Sequence, residues 1–546
     1  MRFPFRARPN DETKPAGASG PQGLTALAPL QDPVFRMLWG TWLVAHICMW
    51  MSDVAAAWMM TTLTTTPVWV ALVQTASTLP VFLLGLPSGA MADILDRRRY
   101  YIVTQFWVAG VSLLMCAAIL LDWMTPPLLL ALTFAYGIGL AMRWPVFSAI
   151  VPELVPRTQM PAALALNGAA MNASRIVGPL LAGALIASAG SLYVFLLNAV
   201  LSLAAGFVIM RWRREHKPNP LGRERLFSAM RVGLQFVMHS ARLRLVLLRI
   251  ALFYVHSTAL LALLPLVAKG LPGGGAGTFT ALLASMGAGA ILAVLFLPRL
   301  RQALTLDQRV SWGNVVQAAS MALMAVAPNV YVAAPVMFVG GMAWITVANS
   351  LSVSAQQALP DWVRARGMSM YQMALMGSGA LGAAVWGQVA TWSSVHTSLG
   401  VAAASALLAL LLVRRLVPAR SAPVDLTPSA ELAAPVLAEP PAHGHVLVTI
   451  EYRIDPAQAD AFHAVMQEYR RSRLRRGALK WELVQDLGNP GVYVEHILDE
   501  SWTDHLRRIS RMTADDAELR NRARAFNIGE TPPVVRRFVV DGMDRG

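Results

Sequence analysis

Long apolar runs recur along most of this sequence and leave it few ways to fold. Twelve runs lie between positions 35 and 416, and each has the roughly 20 residues that a helix needs to cross a hydrocarbon layer about 30 Å thick. We therefore predict an all-α membrane protein with twelve transmembrane helices, six on each side of a basic central loop. The predicted spans are 35–61, 68–92, 100–121, 127–150, 162–188, 191–210, 245–268, 277–298, 309–327, 330–353, 368–391 and 396–416.

The composition argues against a large soluble protein. Only 14% of the 546 residues are charged, against about 25% in typical globular domains, and the mean hydropathy is +0.49. The formal net charge of +15 does not indicate nucleic-acid binding, because the segment from Gly444 onward carries 16 basic and 16 acidic residues. The positive excess therefore lies in the membrane part and its loops, and the sequence contains no basic stripe with interleaved aromatic residues.

The cysteines predict neither disulfides nor a metal centre. Cys48 and Cys116 both lie inside apolar runs, where they pack as small apolar residues. We expect no cofactor and no metal. The first apolar run is long and rich in tryptophan, so we interpret it as a retained span and not as a signal peptide.

The gaps between the spans alternate between two chemical classes. One class is rich in arginine, as in LDRRRY (95–100) and RWRREHK (211–217), whereas the other contains one lysine and no arginine. By the positive-inside rule, the arginine-rich loops and both chain ends are predicted to be cytoplasmic. In the central loop, Leu226, Met230, Leu234 and Val237 recur at helical spacing, which predicts an amphipathic helix along the membrane surface.

These observations divide the chain into six regions. They are a disordered cytoplasmic tail (1–33), a six-helix bundle (34–211), a cytoplasmic loop with an amphipathic helix (212–243), a second six-helix bundle (244–417), a Pro/Ala linker (418–444) and an α/β domain (445–541).

The two halves of the membrane part share landmarks. AIVPELVPRTQM (149–160) follows the fourth span and QALPDWVRARGM (357–368) follows the tenth, and aligning Pro152 with Pro360 places Glu153 over Asp361. Two repeated six-helix halves with a binding site near the membrane midplane are typical of secondary transporters.

The gap between the second and third spans reads GAMADILDRRRY (89–100). It resembles the loop-2/3 signature of the major facilitator superfamily at Gly89, Asp93, Arg97 and Arg98. It departs from the signature at Ile94 and at Asp96, where a glycine is expected, and the latter departure fits the enterobactin-exporter-like branch. The resemblance implies that Asp93 pairs with the start of the eleventh span in one conformation and releases it in another. The matching segment before that span contains Asp361, Arg364, Arg366 and Gly367. Alternatively, the arginines only set the topology.

Asp53 lies inside the first span, in MWMSDVAAAWMM (49–60). A carboxylate within the membrane is costly and indicates a functional site. We interpret Asp53 as a proton-coupling group. The alternative is a partly hydrated carboxylate near the extracytoplasmic end that caps or pairs structurally.

Two arginines also fall inside predicted spans. Arg143 in the fourth span resembles the span-four arginine of the superfamily, and either a counter-ion role or contact with an anionic substrate fits it. The alternative is a side chain that reaches the cytoplasmic face. Arg175 lies in the cytoplasmic half of the fifth span, near the level of Arg143.

The fifth span contains NASRIVGPLLAG (172–183). Gly178, Pro179 and Gly183 match the exporter-type motif of the superfamily, and the eleventh span repeats a glycine-rich stretch as GSGALGAAVWG (377–387). Glycines permit close helix packing and the proline bends the helix. Ordinary packing is the alternative.

After the linker, strand-like and helical patterns alternate in the order β-α-β-β-α-β, with one helix over 502–526. This order predicts a ferredoxin-like unit and resembles the dimeric α/β-barrel group. Some relatives of that fold are enzymes or bind haem. His445, His463, His496 and His505 lack metal-ligand spacing, so we expect a regulatory or dimerising domain and no enzyme activity.

Together these features resemble the enterobactin-exporter-like branch, also called the transmembrane secretion effector group, over residues 30–541. The resemblance implies export of a drug, siderophore or secondary metabolite in exchange for protons, by alternating access, in the bacterial inner membrane. Its expected partners are lipid, a small-molecule substrate and protons, with dimerisation through the C-terminal domain. Two alternatives stay open: an importer, and a membrane sensor that signals through that domain.

Overall fold

The computed structural model describes residues 27–156, 159–211, 226–360, 362–416, 444–528 and 532–540, together with residues 425, 427, 429 and 441. The side-chain surroundings of helix positions 86, 89–90, 92–94, 144–145, 148–149, 152–153, 161, 165, 172, 226–229 and 365 are also outside this description. Gly89 and Asp93 are among these helix positions, and Asp361 falls in the gap between residues 360 and 362. The predictions for these three side chains therefore lie outside what the structure describes.

The first half of the membrane part contains six long helices. Several begin with proline, which is favoured at a helix start because its missing N–H needs no partner there. Asp32 caps the first helix by accepting a hydrogen bond from Phe35 N at 2.7 Å. The helices are α1 (Pro33–Leu63), α2 (Pro67–Ile94), α3 (Arg97–Leu120), α4 (Pro126–Leu154), α5 (Met160–Ser188) and α6 (Ser191–Arg211).

The second half repeats this arrangement after a shorter helix. Ser240 and Thr305 cap two of its helices, and Thr305 forms a capping box with Gln308. The helices are α7 (Leu226–His239), α8 (Ala241–Gly270), α9 (Ala276–Ala303), α10 (Leu306–Ala325), α11 (Val330–Gln357), α12 (Arg364–Trp392) and α13 (Val395–Leu416).

Eleven helices of the described chain are long and apolar enough to cross a membrane. Helix α10 is not among them, although it coincides with a predicted span. Its first turn carries Asp307 and Arg309, and its middle carries Asn314 and the buried Gln317. These polar groups lower the hydropathy of a helix that has only 20 residues.

Two ends of the helix bundles can be told apart. We call the end that carries α7 the proximal end and the opposite end the distal end. The distal end contains the connections 63–67, 120–126, 188–191, 270–276, 325–330 and 392–395.

The two six-helix bundles meet along two helix pairs, α2 with α12 and α5 with α9. Near the distal end Val68 N donates to Thr391 Oγ1 at 3.0 Å, and further along Thr75 Oγ1 donates to the Ala380 carbonyl at 2.8 Å. Because the glycines of α12 lack side chains, α2 can approach closely. The glycine-rich stretch over 377–387 therefore packs one bundle against the other.

Further contacts join the bundles at the distal end. Lys269 Nζ donates to the Thr61 carbonyl at 2.7 Å, and the rings of Trp58 and Phe279 stack with their centroids 6.1 Å apart. The α1 and α8–α9 segments of opposite bundles are thus held together there. We call this conformation the distal-closed state.

Helix α7 packs one of its faces against the rest of the protein. Leu234 is 52% exposed, whereas Val232 and Phe236 are buried. The Phe236 ring contacts the Trp362 ring edge-on, with centroids 5.7 Å apart. Val237 of the predicted stripe is also buried, and the position of α7 along a membrane surface stays a prediction.

The C-terminal domain consists of a four-stranded sheet with helices between its strands. The sheet order is β2-β3-β1-β4, and all neighbours are antiparallel. Alternate residues of β1 and β3 point to a buried core, which includes Val448, Phe462 and Ile497. The elements are β1 (His445–Arg453), α14 (Ala459–Arg475), β2 (Lys480–Gln485), β3 (Val492–Asp499), α15 (Trp502–Ser510), α16 (Ala514–Arg524) and β4 (Val534–Val540).

The single helix predicted over 502–526 is two helices in the structure, α15 and α16. Thr513 begins α16 through a capping box with Asp516. Asp516 also accepts hydrogen bonds from Ser472 Oγ at 2.6 Å and Arg475 Nη2 at 2.7 Å. These tertiary bonds fix the start of α16 and break the helix that the local pattern predicts.

Candidate functional site

Asp53 lies in the middle of α1 and is partly buried. Within the described residues it forms no hydrogen bond and no ion pair. A carboxylate inside a membrane helix is costly, so Asp53 remains a candidate functional residue, and its predicted proton-coupling role stays a prediction.

A polar network lies beside Asp53 and joins three helices. Asn198 Nδ2 of α6 donates to Ser52 Oγ of α1 at 2.6 Å and to the Tyr136 hydroxyl of α4 at 2.9 Å. Ser202 Oγ donates to Asn198 Oδ1 at 3.1 Å. Because these buried groups satisfy one another, they fix the rotation of α1 and thereby the position of Asp53.

Arg143 is buried inside the first bundle, with 3% of its surface exposed. Its Nη2 donates to the Ala45 carbonyl of α1 at 3.4 Å. This burial contradicts the alternative in which the side chain reaches the cytoplasmic face. No carboxylate of the described residues forms an ion pair with Arg143, so its predicted role as a counter-ion or substrate contact stays a prediction.

Arg175 and the exporter-type motif lie where α5 meets helices of both bundles. The Arg175 guanidinium lies over the Trp50 ring of α1, 5.6 Å from its centroid. A Cβ added at Gly178 would lie 2.5 Å from Trp50 Cβ, and one at Gly183 would overlap the Thr280 side chain of α9. These two glycines are therefore required for the close packing of α5, whose buried Pro179 lies between them.

The loop-2/3 motif makes structural contacts at its described positions. Asp96 caps α3 by accepting a hydrogen bond from Arg99 N at 2.8 Å. Arg98 Nη2 donates to the Met210 carbonyl at the end of α6, at 2.5 Å. Arg97 also has interaction partners. The pairing of Asp93 with the start of α12 stays a prediction.

The segment before α12 packs against α7. Arg364 and Arg366 lie in the first turn of α12, and both have interaction partners. A Cβ added at Gly233 of α7 would lie 3.2 Å from Arg366 Cβ, and one at Gly367 would overlap the Leu359 side chain. The predicted residues of this loop thus meet α7 at the proximal end.

The C-terminal domain docks on the same helix. Arg231 of α7 forms a salt bridge with Glu500 at 2.6 Å, and Gln235 Nε2 donates to the Ala478 carbonyl at 3.3 Å. The Arg511 guanidinium lies over the Trp362 ring, 4.6 Å from its centroid. Helix α7 therefore connects the C-terminal domain with the start of α12, which the sequence did not reveal.

Charged side chains inside the C-terminal domain satisfy one another. Asp499 accepts two hydrogen bonds from Arg508, at 2.7 and 2.9 Å, and lies 2.8 Å from His505 Nδ1. Burial raises the pKa of Asp499, but Arg508 and His505 outweigh it and lower the pKa to about 2. Burial lowers the pKa of His505, and the charge of Arg508 adds to this effect while Asp499 opposes it.

A second buried cluster surrounds Glu495 of β3. Arg473 Nε and Trp481 Nε1 donate to Glu495 Oε1, at 3.0 and 2.8 Å, and the Tyr452 hydroxyl donates to Oε2 at 3.2 Å. Within the described residues no group of three or more His, Cys, Asp or Glu side chains could hold a metal ion. These clusters hold the fold of the domain together.

Sequence comparison identifies the family. Residues 24–545 match the family described as transmembrane secretion effector, of the MFS type. The chain belongs to this family. It is therefore a membrane transporter of the MFS type, which fits the long helices and the contacts between two bundles.

Two curated transporters match shorter parts of this family member. An uncharacterized MFS-type transporter, YfiS of Bacillus subtilis (strain 168), is 27% identical over 175 residues, which are 31% of this chain and 41% of that protein. The staphyloferrin A transporter of Staphylococcus aureus (strain NCTC 8325 / PS 47) is 25% identical over 153 residues, 28% of this chain and 38% of that protein. The matches thus span about two fifths of each relative.

Solved transporters share the fold of this family member. The nucleoside transporter NupG superposes with a TM-score of 0.57 at 14% identity, covering 70% of this chain and 99% of NupG. A bacterial homologue of the human lysosomal transporter Spinster, in an inward-facing and unoccupied conformation, gives 0.55 at 14% identity, covering 72% and 96%.

Proposed function

We propose that this chain exports a small organic molecule in exchange for protons. The observation that carries the proposal is Asp53, a carboxylate within α1 that has no hydrogen-bond or ion-pair partner among the described residues. The family description, which names secretion, supports the outward direction. The staphyloferrin A transporter supports a siderophore-like substrate as one candidate class.

Export requires that a central site open alternately to each side of the membrane. We propose that α10 is the twelfth span, since it connects the proximal end of α9 to the distal end of α11. The proximal end then faces the cytoplasm, in agreement with its arginine-rich loops. The distal contacts of Lys269 with Thr61 and of Trp58 with Phe279 would open when substrate leaves.

We also propose that the C-terminal domain is a ferredoxin-like regulatory or dimerising module. The sheet face opposite the helices carries exposed Val484, Val534 and Phe538, which a second copy could cover. Its docking on α7 also keeps the sensor alternative open. No observation on the described residues favours import over export.

The proton role of Asp53 can be tested in everted membrane vesicles that hold a pH gradient, monitored with a fluorescent dye. A panel of iron-chelating hydroxycarboxylates and antibiotics is added to vesicles that contain the wild-type chain. We expect at least one compound to dissipate the gradient as it is exchanged for protons. Asp53→Asn should abolish this response, because an amide does not carry the proton, and should leave the membrane level of the protein unchanged.

Asp122→Asn is the matched control, since Asp122 is an exposed residue between α3 and α4 at φ 54°, a backbone conformation that asparagine tolerates. This variant should respond like the wild type. A wild-type response in the Asp53→Asn vesicles would refute proton coupling through Asp53. No response to any compound in wild-type vesicles would refute the exchange itself.

A further inference from the structure

Arg175 is held in a defined orientation by the motif that surrounds it. Its guanidinium lies over the Trp50 ring, 5.6 Å from the centroid. Gly178, one turn further along α5, faces the same tryptophan, since a Cβ added there would lie 2.5 Å from Trp50 Cβ. The absence of a side chain at Gly178 therefore places the indole under the guanidinium, where cation–π attraction fixes it.

Arg175 lies at the junction of the two bundles. The next residue, Ile176, packs against Gly287 of α9, where an added Cβ would lie 2.6 Å from Ile176 Cγ1. Tyr254 of α8 is buried in the same opposite bundle. The Tyr254 ring contacts the Trp344 ring of α11, with centroids 4.9 Å apart. The segment of α5 that carries Arg175 thus packs against the opposite bundle, in which Tyr254 and Trp344 form an aromatic pair.

The charge of Arg175 is not neutralised by the described protein. Arg175 is partly exposed, and no described carboxylate forms an ion pair with it. In the C-terminal domain, by contrast, the buried Arg473 and Arg508 are each paired with a carboxylate. An uncompensated cation at membrane depth is costly and is retained where it faces a pathway for a ligand.

We propose that Arg175, Trp50 and Tyr254 bind the anionic group of the transported substrate, an organic carboxylate with an apolar or aromatic body. The planar guanidinium fork matches both oxygens of a carboxylate, and the body of the ligand lies along the two rings. This inference rests on the proposed transport function and narrows its substrate class. Trp50 and Asp53 are one helical turn apart on α1, so the anion site and the proton site are neighbours.

The test measures binding to the purified full-length protein in lipid nanodiscs by calorimetry. The probes are 1-naphthoate and 2,3-dihydroxybenzoate, each compared with its methyl ester, which lacks the carboxylate charge. We expect at least one acid to bind the wild type at least tenfold more tightly than its ester. Arg175→Gln should reduce this preference to less than twofold.

Arg299→Gln is the matched control. Arg299 also lies over an aromatic ring, 5.6 Å from the Phe296 centroid, but it is exposed near the proximal end of α9. This variant should keep the wild-type preference.

Arg175→Lys keeps the positive charge but lacks the planar guanidinium, so its preference for the acid should fall at least threefold. This variant provides the test if Arg175→Gln does not fold.

The proposal is overturned if no acid binds better than its ester, or if the Arg175 variants keep the wild-type preference. Binding is measured without a pH gradient, so this result is independent of proton exchange. If Asp53→Asn vesicles respond normally while Arg175→Gln loses its preference for acids, the proton proposal fails and the anion site stands. If Asp53→Asn abolishes the vesicle response while Arg175→Gln keeps its preference for acids, the anion-site proposal fails and the proton proposal stands.

Discussion

Single residues in this protein carry charge in two different settings. Asp499 and Glu495 of β3 are almost completely buried, and each is matched by an arginine and further donors. Arg175 and Asp53 in the membrane part have no such ion pair among the described residues. Buried charges are retained when they are paired or when they act on a ligand. The first pair therefore has a structural role, and the second pair is the one for which a role in transport is proposed.

Replacing Asp499 with asparagine should unfold the C-terminal domain locally. The amide leaves the buried Arg508 without its counter-charge, which costs about 3–5 kcal/mol. Hydrogen exchange of full-length protein in nanodiscs should therefore show protection of β1 and β3 reduced by about 100-fold or more, since each 1.4 kcal/mol is about a factor of ten. The exposed loop variant Asp486→Asn should retain wild-type protection.

The same carboxylate gives the domain a defined acid sensitivity. The pKa of Asp499 is lowered to about 2, whereas an unfolded aspartate titrates near about 3.9. The stability that this difference contributes is present above pH 4 and is lost as the pH falls from about 4 to about 2. Protection factors of β3, corrected for the intrinsic exchange rate, should fall over that range; constant protection down to pH 2 would contradict the assignment.

The sequence revealed some of the candidate site residues and not others, for a physical reason. Asp53, Arg143 and Arg175 stand out because charge inside an apolar run is rare and costly. Trp50 and Asn198 do not stand out, because an indole or an amide is common in an apolar run. Only the packing of the helices shows which partner lies beside each of them. The Arg175–Trp50 contact joins two helices, and no local pattern records which helices touch.

At the scale of elements, the predicted spans agree closely with the helices, and no end differs by more than five residues. Hydropathy sets these limits locally, which explains the agreement. The buried face of α7 and the break between α15 and α16 depend on tertiary partners, Trp362 in one case and Ser472 in the other. The periodicity of apolar residues within one segment does not show which distant residues that segment will contact.

The contact between α5 and α9 should control the closure of the distal end. Gly183→Ala places a methyl group where the Thr280 side chain lies, and such overpacking costs about 1–3 kcal/mol. We expect the distal-closed state to lose population. Spin labels at Trp123→Cys and Tyr331→Cys, two exposed positions in opposite bundles, should then move apart by several ångströms in electron–electron double-resonance measurements.

Gly168→Ala supplies the control on the same helix, because an added Cβ there meets nothing within 4 Å. It should leave the label distance unchanged. Thr280→Ala, combined with Gly183→Ala, should restore part of the closed population. An unchanged distance in Gly183→Ala would show that α5 and α9 do not limit the distal opening.

At the scale of the whole molecule, the C-terminal domain, α7 and α12 form one continuous set of contacts. Glu500 binds Arg231, Phe236 contacts Trp362, and α12 packs along α2 of the other bundle. These contacts connect the domain with the interface between the two bundles, which in the proposed transport cycle would move. Through these contacts the C-terminal domain, if it is the regulatory module proposed above, would influence the helix bundles without itself lying on the route of the substrate.

The topology of the whole chain decides whether these parts can act as a transporter. If α10 is the twelfth span, as proposed, the distal loops lie on one side of the membrane and the C-terminal domain on the other, and we expect the arginine-rich proximal loops to hold that domain in the cytoplasm. In a variant with Cys48 and Cys116 replaced by alanine, a membrane-impermeant maleimide should label Trp123→Cys in intact spheroplasts. Leu487→Cys, which is 97% exposed at the native residue, should react only after permeabilisation. Labelling of both positions from outside would mean that α10 does not cross the membrane or that another span is missing.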